Sequence, residues 1–252
     1  MAESWQLKLN RAEKHLLEFD GEVRKYVDRN PYKAVRSVKT KAERNTWIYR
    51  IEFEEPDPNL AVIAGDVLHN TWSALDHISV ALVPRKRRGS AFFPVIAELN
   101  EKAVVDFRTA CKGMPRQARA VIKSHQPYRS GANAALHWLA LLSAFDNADK
   151  HRNLIVTAGG LVNASVSVLA RGRVVSQKTG AEFRYRDTEI AHFGWPESPP
   201  LTDPEVNVKV EGTVLVAFEY RRVDGYVPAQ EGLRDLVDMT RLVVSRLEPF
   251  VR

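Results

Sequence analysis

Between Ala61 and Pro84 the chain has no Lys, Arg or Glu. Apolar residues recur there at Ala61, Ala64, Leu68, Leu75 and Leu82, with Trp72 and Ile78 beside them, which is helical spacing. A helix of this composition over Asn59–Val83 is buried on most sides. It still carries His69, Asn70, Ser73, Asp76 and His77. At about 100° per residue, His69 and Asp76 fall on nearly one line, with Ser73 beside them and Asn70 and His77 extending the seam. Buried polar groups are costly unless hydrogen-bonded or paired, so another part of the fold must satisfy this seam.

The natural partner is the second apolar helix, Ala134–Phe145, which runs into Asp146, Asn147, Asp149, Lys150, His151 and Arg152. Basic residues at a helix C-terminus complement its dipole. Two acids and three basic residues within seven positions exceed that need, so Asp146, Asp149 or His151 is expected to meet the seam.

Taken in order, Trp5–Val27 reads as an amphipathic helix with Trp5, Leu9, Ala12, Leu16, Phe19, Val23 and Tyr26 on one face. Alternation over 32–39 and 46–53 predicts a hairpin with its turn at 42–45. Asp57 or Asn59 is the candidate N-cap of the central helix. Pro84–Gly89 contains four consecutive basic residues and is read as a solvated loop. A short extended segment at 92–95 precedes helices at 100–111 and 115–124. From Leu154 the chain turns Val-rich and alternating, with strands at 154–156, 162–169, 174–177 and 182–186. A further hairpin is expected over 206–221, around Gly212-Thr213. The loop 194–204 is Pro-rich, and 228–249 returns to helix with Leu233, Leu236, Val237, Thr240, Val243, Val244 and Leu247 as its buried stripe.

The expected class is α+β. A helical core bundle of the N-terminal, central, DxxDKHR and C-terminal helices accompanies an antiparallel β-sheet. The reading is one domain over 1–252, with helical core at 4–28, 59–152 and 228–249 and β-rich segments at 32–55 and 154–222. The single cysteine, Cys111, excludes a disulfide framework and a Cys-rich zinc site. The first residues lack a signal-peptide apolar region, and no apolar run reaches membrane-spanning length. These features point to a cytoplasmic protein with no membrane partner. The net charge of +6 permits RNA or another anionic ligand without requiring one.

Three chemistries fit the seam. His69 or His77 could move a proton while Lys150 or Arg152 steadies charge on a phosphorane, a route for cleaving RNA that needs no cofactor. His69, Asp76, Asp146, Asp149 and His151 are all competent ligands for a divalent metal, though without an HExxH or a Glu-x-x-His pair. The third reading is non-catalytic: Asn70, Ser73, Asp76, Asp146, Asp149 and His151 form a polar network pinning two helices. Phosphate-loop, dinucleotide and serine-elbow motifs are missing.

The stretches His69-Asn70-Thr71-Trp72-Ser73-Ala74-Leu75-Asp76-His77 and Asp146-Asn147-Ala148-Asp149-Lys150-His151-Arg152 resemble the HNxRSALDH-like and DNxDKHR-like motifs of a set of uncharacterised bacterial proteins, common in actinobacteria. Phe93-Pro94-Val95 and Gln126-Pro127-Tyr128 are similar to short motifs between them. More distantly, the chain resembles HEPN domains, helical modules of toxins and defence systems, often RNases and often dimeric. Their mark is an Arg followed four to six residues later by His. Here Trp72 stands at the Arg position, and His77 is the member that matches. The resemblance implies an RNA-binding or RNA-cleaving module and a homodimer.

Overall fold

A computed structural model of the chain describes residues 3–37, 46–151, 154–170, 173–184, 189–194, 206–220 and 225–251. The predicted turn at 42–45, the side chain of Arg152 and the Pro-rich stretch 195–204 lie outside the described residues. The fold is α+β, with helices and antiparallel sheets, and its contacts gather into two compact units.

The first unit comprises residues 1–22, 58–155 and 219–252. Its helices are α1 (Ser4–Val27, whose last residues belong to the second unit), α2 (Asn59–Ala81), α3 (Glu101–Ala110), α4 (Arg116–Ser124), α5 (Trp138–His151) and α6 (Ala229–Leu247). The apolar face of α1 expected from its spacing is buried from Trp5 to Tyr26. So is the expected stripe of α6, Leu233 to Leu247. α2 packs against both α5 and α6. Among the described residues no helix is long and apolar enough to cross a membrane.

Local departures have local causes. Pro58, not Asp57 or Asn59, occupies the N-cap position of α2 and offers no side-chain cap. The basic stretch forms a 3-10 helix, Arg85–Ser90, instead of an open loop. α5 begins at Trp138 and not at Ala134, because His137 is extended (φ −65°, ψ 135°) and 127–136 is a 3-10 segment kinked at Gly131.

The second unit comprises residues 23–57 and 156–218. β1 (Tyr32–Ser37) and β2 (Thr46–Phe53) form the expected antiparallel pair, from Tyr32↔Phe53 to Ser37↔Ile48. β5 (Glu189–Gly194) flanks β2, giving the order β1-β2-β5. The other sheet has the order β4-β3-β6-β7, built from β3 (Val156–Ala170), β4 (Arg173–Arg184), β6 (Val206–Tyr220) and β7 (Gly225–Pro228), of which β7 and the last two residues of β6 belong to the first unit.

The hairpin expected around Gly212-Thr213 is absent: β6 runs straight through as one strand paired with β3. Gly212 serves close approach, since a Cβ there would press on Ala164 of β3 at 3.2 Å. The Tyr32 hydroxyl donates to the Gly212 carbonyl (3.3 Å) and accepts from its N–H (3.1 Å). A glycine in a strand thus marks a bulge in the β3–β6 pairing, where turn chemistry had suggested a reversal.

Candidate functional site

α2 is less enclosed than its composition suggests. Val62 and His69 are exposed, Ser73, Asp76 and His77 are half-buried, and Asn70 and Thr71 are buried. The expected buried seam is therefore an edge: one side enters the core and the other opens to solvent. The buried members bond along their own helix, and Asn70 Oδ1 also accepts from Lys8 Nζ of α1 (3.4 Å). Asn70 Nδ2 donates to the Asp66 carbonyl (2.8 Å) and Thr71 Oγ1 to the Val67 carbonyl (2.7 Å).

α5 meets this edge as the spacing anticipates. Asp146 is 2 % exposed. Its Oδ2 accepts from Lys150 Nζ at 2.5 Å, one turn along α5. Its Oδ1 lies 3.5 Å from His69 Nδ1. At the far side of the imidazole, Nε2 is 3.5 Å from Ser73 Oγ. A buried carboxylate, an imidazole and a hydroxyl thus stand in file, with Asp146 Oδ1 at ion-pair distance from the imidazole and without a hydrogen bond among the described residues. His69 itself is half exposed, so a solute can reach it.

Asp149 explains a residue that motif reading passed over. Gly65 is buried in the interior of α2, where glycine costs about 1 kcal/mol relative to alanine. The space a Cβ would take there is filled by the Asp149 carboxylate. Burial, together with the charges of Asp146 and Asp66, pushes the Asp149 carboxyl above its ordinary range; His69 and Lys150 oppose the shift. Asp66 also belongs to this face and was not anticipated. The readable signal was a glycine within a helix, with no turn to make.

Asp76 lies further along α2 and is engaged differently. Its Oδ1 accepts from the Phe93 N–H at 2.9 Å, and the Trp72 side chain donates to the same carboxyl. Burial outweighs these bonds and holds the carboxyl above its ordinary value. Trp72 thus serves Asp76. The remaining short motifs interlock. Gln126 Oε1 accepts from Ile96 N–H (2.9 Å), its Nε2 donates to Pro94 O (3.0 Å), and Tyr128 N–H donates to Ile96 O (3.0 Å).

The structure therefore brings together His69, Ser73, Asp146, Asp149 and Lys150. It does not bring His77 or His151 into that group; neither has a polar partner among the described residues. Among the described residues, no three His, Cys, Asp or Glu side chains are placed to hold a metal ion, so the set His69, Asp76, Asp146, Asp149 and His151 does not converge as ligands. Cys111 is buried, which pushes its thiol up to about 12 and leaves it protonated and inert at neutral pH.

Fold and site together describe an α+β protein with a half-open acid–base edge on its helical unit. No protein-family model, curated protein or solved structure matches the chain.

Proposed function

We propose that the helical unit is an HEPN-like module that acts on RNA, with His69 as its proton-transfer residue. The observation that carries this reading is the file Asp146–His69–Ser73, which leaves a half-exposed imidazole within ion-pair distance of a buried carboxylate. In the proposed reaction His69 takes the proton of a ribose 2′-hydroxyl, whose oxygen attacks the adjacent phosphorus. The phosphorane collapses to a cyclic phosphate as the 5′-oxygen leaves and takes up a proton from water. Asp146 holds the imidazole in place, and the Lys150 ammonium steadies negative charge on the phosphoryl oxygens. His77, half-buried on the same helix, is the residue that the HEPN resemblance adds, and a homodimer belongs to this reading.

One observation favours a second, non-catalytic reading. Asp66, Asp146 and Asp149 crowd the same edge, and Lys150 is already held by Asp146. Such a cluster repels a phosphodiester and suits a polar network that pins α2 to α5.

A cleavage assay separates the two. Labelled single-stranded RNA is incubated with the wild type, His69→Gln and His77→Ala in the presence of a chelator. The RNA reading expects cleavage by the wild type and a loss of about 100-fold or more in His69→Gln, with its melting temperature unchanged. No cleavage by the wild type, with a lowered melting temperature in His69→Gln, assigns the edge to structure.

A further inference from the structure

Between His77 and Ala97, and again between Phe107 and Phe145, the chain has no Asp or Glu. These two stretches hold ten of the 37 Lys and Arg, which leaves 27 cations against 31 acids in the rest of the chain. The whole of the +6 surplus therefore sits in them. Like charges gathered without acids repel one another, a cost that a bound polyanion removes.

Both stretches belong to the helical unit, and the fold sets them against each other. The four consecutive cations form the 3-10 helix Arg85–Ser90. Its Arg87 lies over the turn between α3 and α4: a Cβ at Gly113 would meet Arg87 Cδ at 3.0 Å and Pro84 Cδ at 3.2 Å. Lys112 stands in the same turn, exposed. The charge of Arg119, on α4, reaches Cys111 there and opposes the rise of its thiol. Along α4, Arg116, Arg119 and Lys123 recur at i, i+3 and i+7 on one exposed face, while Ala118 and Ile122 are buried on the other. Arg85, Lys86, Arg88, Arg116, Arg119 and Lys123 are all exposed and have no ion-pair partner among the described residues.

Charge and surface chemistry together select the occupant. A protein partner is anchored by apolar and aromatic side chains at the centre of its interface, and a membrane surface by an exposed apolar helix face. Neither the 3-10 helix nor the outer face of α4 carries a large exposed apolar side chain. What they present is mainly guanidinium, whose fork matches phosphate oxygens. Arg116 to Lys123 span about 10.5 Å of helix axis, over which one nucleic-acid strand presents about three phosphates. We propose that the 3-10 helix Arg85–Ser90 and the outer face of α4 form one surface that binds the phosphodiester backbone of a nucleic acid, whatever its sequence. His69 lies about 18 Å before the end of α2, so this surface is separate from the acid–base edge and the inference does not rest on the cleavage reading.

The test uses the full chain and short fluorescein-labelled single-stranded DNA of two unrelated sequences, read by anisotropy. DNA lacks the 2′-hydroxyl that the cleavage reading needs, so binding is measured without turnover. The two sequences should bind within ~3-fold of each other, because phosphate contacts carry no sequence information. Affinity should fall about 50-fold between about 50 and 200 mM salt, as roughly four phosphate contacts to a single strand require. Arg85→Gln/Lys86→Gln/Arg88→Gln and Arg116→Gln/Arg119→Gln/Lys123→Gln should each weaken binding at least ~10-fold and flatten the salt dependence. All six residues are exposed, so folding is retained. Arg11→Gln/Lys14→Gln/Arg24→Gln removes the same charge from exposed positions of α1 and should change binding less than ~3-fold. Vesicles containing phosphatidylserine should not displace the DNA. The proposal is overturned if no DNA binds, if the α1 variant weakens binding as much as the other two, if the two sequences differ by ~100-fold, or if the vesicles compete. RNA cleavage without DNA binding would sink this inference and leave the cleavage reading standing; binding without cleavage would do the reverse.

Discussion

Two helix contacts in the same unit use opposite charges to different ends. Along α1 and α6 the pairs lie at the rim: Asp20 with Arg234 (2.6 Å) and Gln230 (3.0 Å), Glu13 with Arg241, and Trp5 with Glu248 (2.9 Å). Their order, 20 to 13 to 5 against 230 to 241 to 248, shows the helices antiparallel. The apolar stripes hold that contact and the charges decorate it. Between α2 and α5 the arrangement is inverted. The charge of Asp146 is inside, with 3 % of its side chain exposed, and its partners Lys150 and His69 reach in from a half-open edge. A rim pair can be lost to water at little cost, whereas a buried carboxylate that loses its partner has no water to replace it.

The sharpest way to break this contrast is Lys150→Met. Removing the cation leaves Asp146 buried and short of a partner, so unfolding free energy in urea should fall by about 3 kcal/mol, the low end for a broken buried pair because Lys150 is itself half exposed. A loss below about 1 kcal/mol would show that Asp146 does not need Lys150.

An effect of intermediate size is expected from pH. The Asp76 carboxyl is raised in the fold above its ordinary 3.8, chiefly by burial. A raised carboxyl binds its proton more tightly folded than unfolded. Its contribution is therefore full below the unfolded value and is lost as pH rises through the folded one. The stability of the wild type relative to Asp76→Asn should be greater near pH 4 than at pH 7. The reverse trend in paired denaturation curves would mean that the bonds from Phe93 and Trp72 outweigh burial.

The smallest effect belongs to the α1–α6 rim. Arg241→Ala should change stability by no more than about 0.5 kcal/mol, because both members of its pair are more than a third exposed. A larger loss would place this rim in the same class as the α2–α5 edge and dissolve the contrast.

Much of the helical unit was legible because burial repeats with the period of the helix. The stripes of α1 and α6 were readable residue by residue, and the meeting of His69 with Asp146 followed from two polar clusters on otherwise apolar helices. Strand reversals were less legible. Gly212-Thr213 has the composition of a turn, yet β6 passes straight through it because Gly212 is needed where β3 and Tyr32 approach closely. Composition cannot tell a glycine that turns a chain from one that makes room for a neighbour.

The sequence by itself determined the α+β class, the principal helical faces and the pair of polar stretches that had to meet, since these depend on local periodicity and on the cost of burying unpaired charge. Tertiary structure alone decided the rest. It set Asp149 in the place of a Gly65 side chain and brought the Phe93 N–H to Asp76. Each of these outcomes depends on which side chains arrive from distant segments, and no window of the sequence contains that information.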